Sequence, residues 1–116
     1  MFAKGGFDVV IGNPPYVRAE VFKDDKPFLS KGYESYHGNA DLYVYFYELG
    51  LKILKSNSLL SFIAPNKWVE SQYGLALRSF ISKHHTVLKF LDFGEANIFD
   101  GVGTFPSICI LKNGFL

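Results

Sequence analysis

The sequence predicts an α/β fold: a mainly parallel sheet whose last two strands form an antiparallel pair. Two observations carry this. Short apolar runs alternate with longer stretches of helical period along the first 90 or so residues. The last two apolar runs, "TVLKFLDF" and "FPSICILK", have only a glycine-containing loop between them, so they pair directly. With 116 residues, 48% hydrophobic and 20% charged, the chain suits one small domain with a packed core.

Taken in order, residues 7–12, "FDVVIG", read as a strand with buried faces. Residues 13–39 are polar and contain glycine, which predicts a long loop with one short helix; loops of that length tend to be functional. Asp41 has the chemistry of an N-cap for "LYVYFYELGLKILK", with Leu42, Phe46, Leu49 and Ile53 as the apolar stripe. Tyr43, Tyr45 and Tyr47 then fall on half-buried helix surface. "SNS" at 56–58 ends the helix, and Asn57 suits a left-handed conformation there. "LLSFIA" (59–64) is a strand stopped by Pro65. Ser71 caps a helix to about Lys83, with Tyr73, Leu77, Phe80 and Ile81 facing inward. Residues 86–93 and 105–112 complete the sheet.

Composition removes several classes of function. One cysteine, Cys109, excludes a disulfide framework and a multi-cysteine metal site, and predicts a reducing, cytoplasmic compartment. His37, His84 and His85 lack metal-ligand spacing, so no metal is expected. No apolar run reaches membrane-spanning length, and "MFAKGG" lacks the features of a signal peptide. The net charge of +1 is far from the basic balance of a self-sufficient nucleic-acid-binding domain.

The chemistry concentrates after the first strand, in "NPPY". Pro14 pushes Asn13 towards an extended backbone, and the two prolines fix their own φ. Neither proline nitrogen can donate, so the corner offers acceptors: the Asn13 side-chain oxygen and the Pro14 carbonyl. Tyr16 adds a flat face. This suits a planar group bearing an NH₂. Accepting both amine hydrogens in a fixed arrangement helps the nitrogen rehybridise and stabilises positive charge as it attacks. An ordinary proline turn is the bland alternative.

"NPPY" after an apolar strand resembles motif IV, Asp/Asn-Pro-Pro-Tyr/Phe/Trp, of S-adenosylmethionine-dependent amino-methyltransferases. "ADLYVYFYELGLKIL", "LLSFIAPNKWVES", "LRSFI" and "FGEANIF…FPSICIL" follow in the order of motifs V to VIII of the gamma-type adenine-N6 DNA methyltransferases of restriction–modification systems. The resemblance covers nearly the whole chain. It implies the second half of a Rossmann-like methyltransferase domain, with S-adenosyl-L-methionine as cofactor and double-stranded DNA as partner. Asn13 and the Pro14 carbonyl would accept the adenine amino hydrogens. Pro15 and Tyr16 would contact an adenine flipped out of the duplex. Phe99 would close its other face, although a loop phenylalanine packing on the core is nearly as good a reading. Asn13, Leu42 and Phe46 would border the cofactor; the latter two would be core in any protein. "SNS" stands where the family often has Pro-Gly-Gly.

The family's main cofactor motif, a glycine-rich turn between a strand and a helix, is missing. "KGG" at 4–6 precedes the first strand, and "GVG" at 101–103 lies between two strands. The expectation is half of a catalytic domain that is inactive alone, lacks a target-recognition domain, and is prone to self-association through the open edge of its first strand. The rivals are a methyltransferase acting on RNA or on a protein glutamine, and a non-catalytic interaction module. Lys67 and Trp68, after Pro65, are candidates for a DNA-facing rim, with Trp68 the more natural packing anchor. Asp8 and Asp92 read as cross-strand or cap partners.

Overall fold

A computed structural model describes residues 5–94 and 106–115. The strands are β1 (Phe7–Gly12), β2 (Leu54–Pro65), β3 (His85–Asp92) and β4 (Pro106–Asn113). They form one sheet in the order β1-β2-β4-β3. β1 runs parallel to β2, and β4 is antiparallel to both β2 and β3, as the alternation predicts. β3 therefore runs parallel to β1 and β2. All three deliver their carboxyl ends to one edge, at Asn13, Asn66 and Phe93.

Helices α2 (Tyr43–Lys52) and α3 (Leu75–His84) cover one sheet face. Val10, Leu60, Phe62, Ala64, Cys109 and Leu111 point into that layer, packed on Tyr47, Leu51, Leu77, Phe80 and Ile81. Gly50 lets α2 lie close to the sheet, because a Cβ there would meet Leu60 and Phe62. Trp68 is buried, as expected of an anchor, with its ring 5.2 Å from Tyr47 and 6.4 Å from Phe90. Cys109 is fully buried and its thiol is pushed up to about 12 by burial, so it is the inert kind of cysteine.

Among the described residues, no helix covers the opposite face. Register places Val9, Ile11, Leu59, Ile63, Ile108, Ile110 and Leu91 on it. Ile11 is 75% exposed and Val9 59%. β1 is thus not the doubly buried strand its composition predicts. It is an edge strand, and only Val10 reaches the core.

Other differences have local causes. The loop holds a 3-10 segment (Ala19–Asp25) and the short helix α1 (Lys26–Gly32), and it wraps α2. Phe22 and Tyr33 meet Tyr45 edge-on at 6.4 and 5.5 Å. The fully buried Glu48 accepts the N–H groups of Ser35 (2.7 Å) and Glu34 (3.2 Å) and pairs with Lys52 at 2.5 Å. Helix α2 is therefore enclosed on two sides. Tyr43, Tyr45 and Tyr47 are buried rather than surface residues. The expected core stripe is the part left open: Leu42, Phe46 and Ile53 are half-buried and Leu49 is exposed.

Asp41 does not cap α2. Its carboxylate accepts the Ala19 N–H at 3.2 Å, and Leu42 stands at the cap position without a side-chain bond. Asn57 is left-handed at φ 67, as expected, but inside β2, where the pairing with β1 shifts register between Phe7 and Val9. Ser71 precedes a 3-10 turn (Gln72–Gly74) rather than α3 itself, and its hydroxyl makes no cap bond. His85 is buried against Phe80. Asp8 does pair across the strands with Lys55 at 2.9 Å, and Asp92 accepts the Gly94 N–H at 2.8 Å.

Candidate functional site

The carboxyl edge of the sheet collects the polar and aromatic groups. β1 ends and the chain runs on through Asn13-Pro14-Pro15-Tyr16 without regular structure. Pro14 is buried, which anchors the corner, while Asn13 and Pro15 are exposed. Tyr16 is half-buried, resting on the core with one part open. Its ring centroid lies 6.2 Å from that of Tyr43, tilted by 42°.

Tyr43 supports this plate from below. Its hydroxyl shares a hydrogen bond with that of Tyr73 at 2.6 Å. Burial raises both phenols, Tyr73 to about 12 and Tyr43 further, so both stay neutral. Just past the corner, the Val17 carbonyl accepts the Leu42 N–H at 2.9 Å, and Ala19 donates to Asp41. These two bonds tie the corner to the start of α2. Leu42 and Phe46 therefore begin one helical step from the corner, on the half-open stripe.

Asp41 is 8% exposed. Burial raises its carboxyl above the usual range, against the pull of the Ala19 N–H, Lys67 and Arg18; Glu20 adds to the rise. Lys67 and Arg18 are both exposed on the rim. At the neighbouring strand end, Asn66 donates to Asp92 at 2.7 Å beside a cavity of about 330 Å³ lined by Asn66, Lys67, Glu70, Ser71, Phe90 and Asp92.

The structure thus ties Leu42, through Val17, to the stretch carrying Asn13, Pro14, Pro15 and Tyr16, with Phe46 one helical turn further along α2. Phe99 lies outside the described residues. Among the described residues, no group of three or more His, Cys, Asp and Glu side chains could hold a metal ion, and no helix is long and apolar enough to cross a membrane. Sequence reasoning missed the Tyr43–Tyr73 support and the tie through Asp41. The crowd of tyrosines was the available signal for the first. An aspartate just before a helix reads as a cap, which hid the second.

Comparison with known proteins places this geometry. The sequence profile of the Eco57I restriction-modification methylase family matches residues 1–99. The chain is 35% identical over 109 residues to the type II methyltransferase M.BstVI of Geobacillus stearothermophilus, covering 91% of this chain and 19% of that protein. It is 30% identical over 110 residues to the type II restriction enzyme and methyltransferase RM.Eco57I of Escherichia coli, covering 91% and 11%. The chain therefore spans about a fifth or less of the length of these relatives. Among solved structures, a Listeria monocytogenes protein assigned to the class I S-adenosylmethionine-dependent methyltransferases superposes with a TM-score of 0.74 at 21% identity, over 100% of this chain and 34% of that one. The M protein of the type I restriction enzyme EcoKI superposes with a TM-score of 0.65 at 14% identity, over 96% and 22%. These likenesses establish the methyltransferase fold, and the profile and sequence matches establish kinship: the chain belongs to the Eco57I restriction-modification methylase family and corresponds to a segment of its type II methyltransferases.

Proposed function

We propose that this chain forms the target-base half of a DNA methyltransferase that modifies the N6 amine of adenine. The observation that carries the reading is the corner at the end of β1. A buried Pro14 holds an exposed Asn13 and a half-open Tyr16 at one sheet edge, on a fold shared with methyltransferases. The half-open Leu42 and Phe46 offer an apolar wall that fits the adenine ring of S-adenosylmethionine, and Asn13 borders the same space. When bound, that cofactor supplies an electrophilic methyl group. The chain's own residues do the rest. The Asn13 amide oxygen and the Pro14 carbonyl accept the two hydrogens of the target amine and draw its lone pair out of conjugation. Tyr16 stacks on the extruded base, and such stacking contributes about 1–3 kcal/mol.

The test uses the complete polypeptide that carries this segment. Incubated with labelled S-adenosylmethionine and duplex DNA, it is expected to yield N6-methyladenine in the nucleoside digest. Label in N4-methylcytosine, in RNA, or in a glutamine-containing peptide instead would sink the reading. The 116-residue chain alone is expected to transfer no methyl group, since its sequence offers no glycine-rich turn between a predicted strand and a predicted helix.

The bare apolar sheet face and the edge position of β1 predict a second property. In isolation the chain self-associates at micromolar concentration. Light scattering coupled to size exclusion is expected to show a mass well above 13.1 kDa, and Ile11→Lys is expected to shift it towards the monomer. A clean monomer of the unaltered chain contradicts this.

A further inference from the structure

The start of α2 and the stretch after the corner grip each other residue by residue. Asp41 accepts the Ala19 N–H, the Leu42 N–H donates to the Val17 carbonyl, and the Tyr43 ring meets the Tyr16 ring at 6.2 Å. Tyr43 carries this series of contacts inward. It is fully buried, and its hydroxyl shares the 2.6 Å hydrogen bond with that of Tyr73.

Tyr73 stands on a fixed base. It belongs to the turn Gln72–Gly74, and a side chain on Gly74 would collide with the Trp68 backbone. The turn therefore lies directly on that segment. The Arg78 guanidinium locks the two together by donating to the carbonyls of Trp68 (2.7 Å) and Ser71 (2.8 Å). Trp68 itself is buried in the core.

Two phenylalanines would fill the same space. Replacing both partners of a buried hydrogen bond by apolar groups of the same shape is close to neutral for stability. The hydroxyls thus contribute direction rather than net stability: a satisfied buried polar pair fixes one arrangement of the side chains that carry it. The arrangement fixed here is that of the ring against Tyr16, the half-buried aromatic that follows Asn13, Pro14 and Pro15.

We infer that Tyr73 is a positioning residue for the target base: through the Tyr43 hydroxyl it sets the plane of Tyr16, on which the extruded adenine stacks. This rests on the DNA reading above and adds to it the residue pair that orients the stacking ring.

The experiment uses the complete polypeptide and two duplexes carrying its mapped methylation site. One has the target adenine opposite an abasic site. The other has the abasic site in place of that adenine, so no base is there to stack. Tyr73→Phe is expected to weaken binding of the first about fivefold, a part of the stacking contribution, and to leave the second unchanged. Tyr43→Phe combined with Tyr73→Phe is expected to melt like the unaltered protein, because no buried hydroxyl is left unpaired, and still to show the adenine-dependent loss. Tyr45→Phe removes another hydroxyl bond of α2, to the His37 carbonyl, and is expected to leave both duplexes bound as before. Equal weakening on the two duplexes overturns the inference, since lost packing acts on both alike. Full adenine-dependent affinity in the double variant overturns it too, as does a Tyr45→Phe effect matching that of Tyr73→Phe. An unaltered polypeptide that forms N6-methyladenine yet binds both duplexes equally removes the inference and leaves the DNA reading standing; one that methylates no DNA removes both.

Discussion

Asn13→Ala is expected to lower kcat/KM for methyl transfer by about 100- to 1,000-fold in the complete polypeptide. That is the range measured when one preorganised polar partner of a developing charge is removed from an enzyme site. In the proposed reading the lost group is one of two acceptors for the amine hydrogens. The remaining Pro14 carbonyl cannot pull both out of the ring plane. Asn13 is exposed and makes no side-chain hydrogen bond that holds the fold among the described residues, so melting should be unaffected. The loss should fall on kcat more than on DNA affinity, because the acceptors matter most as charge develops. Asn13→Asp, which restores an acceptor oxygen, should recover part of the rate. An alanine variant with unaltered turnover would falsify the acceptor role.

The second large effect concerns stability. Glu48→Ala is expected to cost about 3 kcal/mol, at the lower end for breaking a buried charge pair. Three partners lose their acceptor at once: the Lys52 ammonium and the N–H groups of Ser35 and Glu34. Lys52 is 45% exposed and regains water, but Ser35 is fully buried and its N–H does not. Denaturant unfolding followed by the fluorescence of Trp68, the single tryptophan, reads the change. The pH dependence gives an independent check. Burial pushes the Glu48 carboxyl up, but Lys52 and the groups of Ser35 and Glu34 outweigh it and hold it below the ordinary range. Its stabilising contribution is therefore fully present above the unfolded value of about 4.3 and is lost as pH falls through the lower folded value. Glu48→Gln should flatten that acid slope. An unchanged slope in the glutamine variant would show that the carboxylate is not the staple.

The same glutamate explains where the sequence was hard to read. The four strands were legible because each is a short apolar run closed by Pro, Asn or Gly, and those signals are local. The corner was legible because two prolines fix their own backbone. The exposed face of α2 was not. A helix packed on a sheet alone would bury one stripe, and Leu42, Phe46, Leu49 and Ile53 form a good one. The loop lies across α2 as well, held by Glu48 and the Tyr45 contacts, and so a different set of side chains is covered. A 13-residue separation between Ser35 and Glu48 is invisible to periodicity. For the same reason Asp41 looked like a cap: its partner Ala19 lies 22 positions earlier. β1 looked doubly buried because hydropathy records what a strand can bury, not which elements are there to cover it.

The uncovered side of the sheet has a consequence inside a cell. Side chains such as Ile11 and Val9, left in water, are what chaperones seize and quality-control proteases remove. The lifetime of this polypeptide would then be set by its escort rather than by its own packing. Copies whose apolar face finds a cover would persist, and the rest would be cleared.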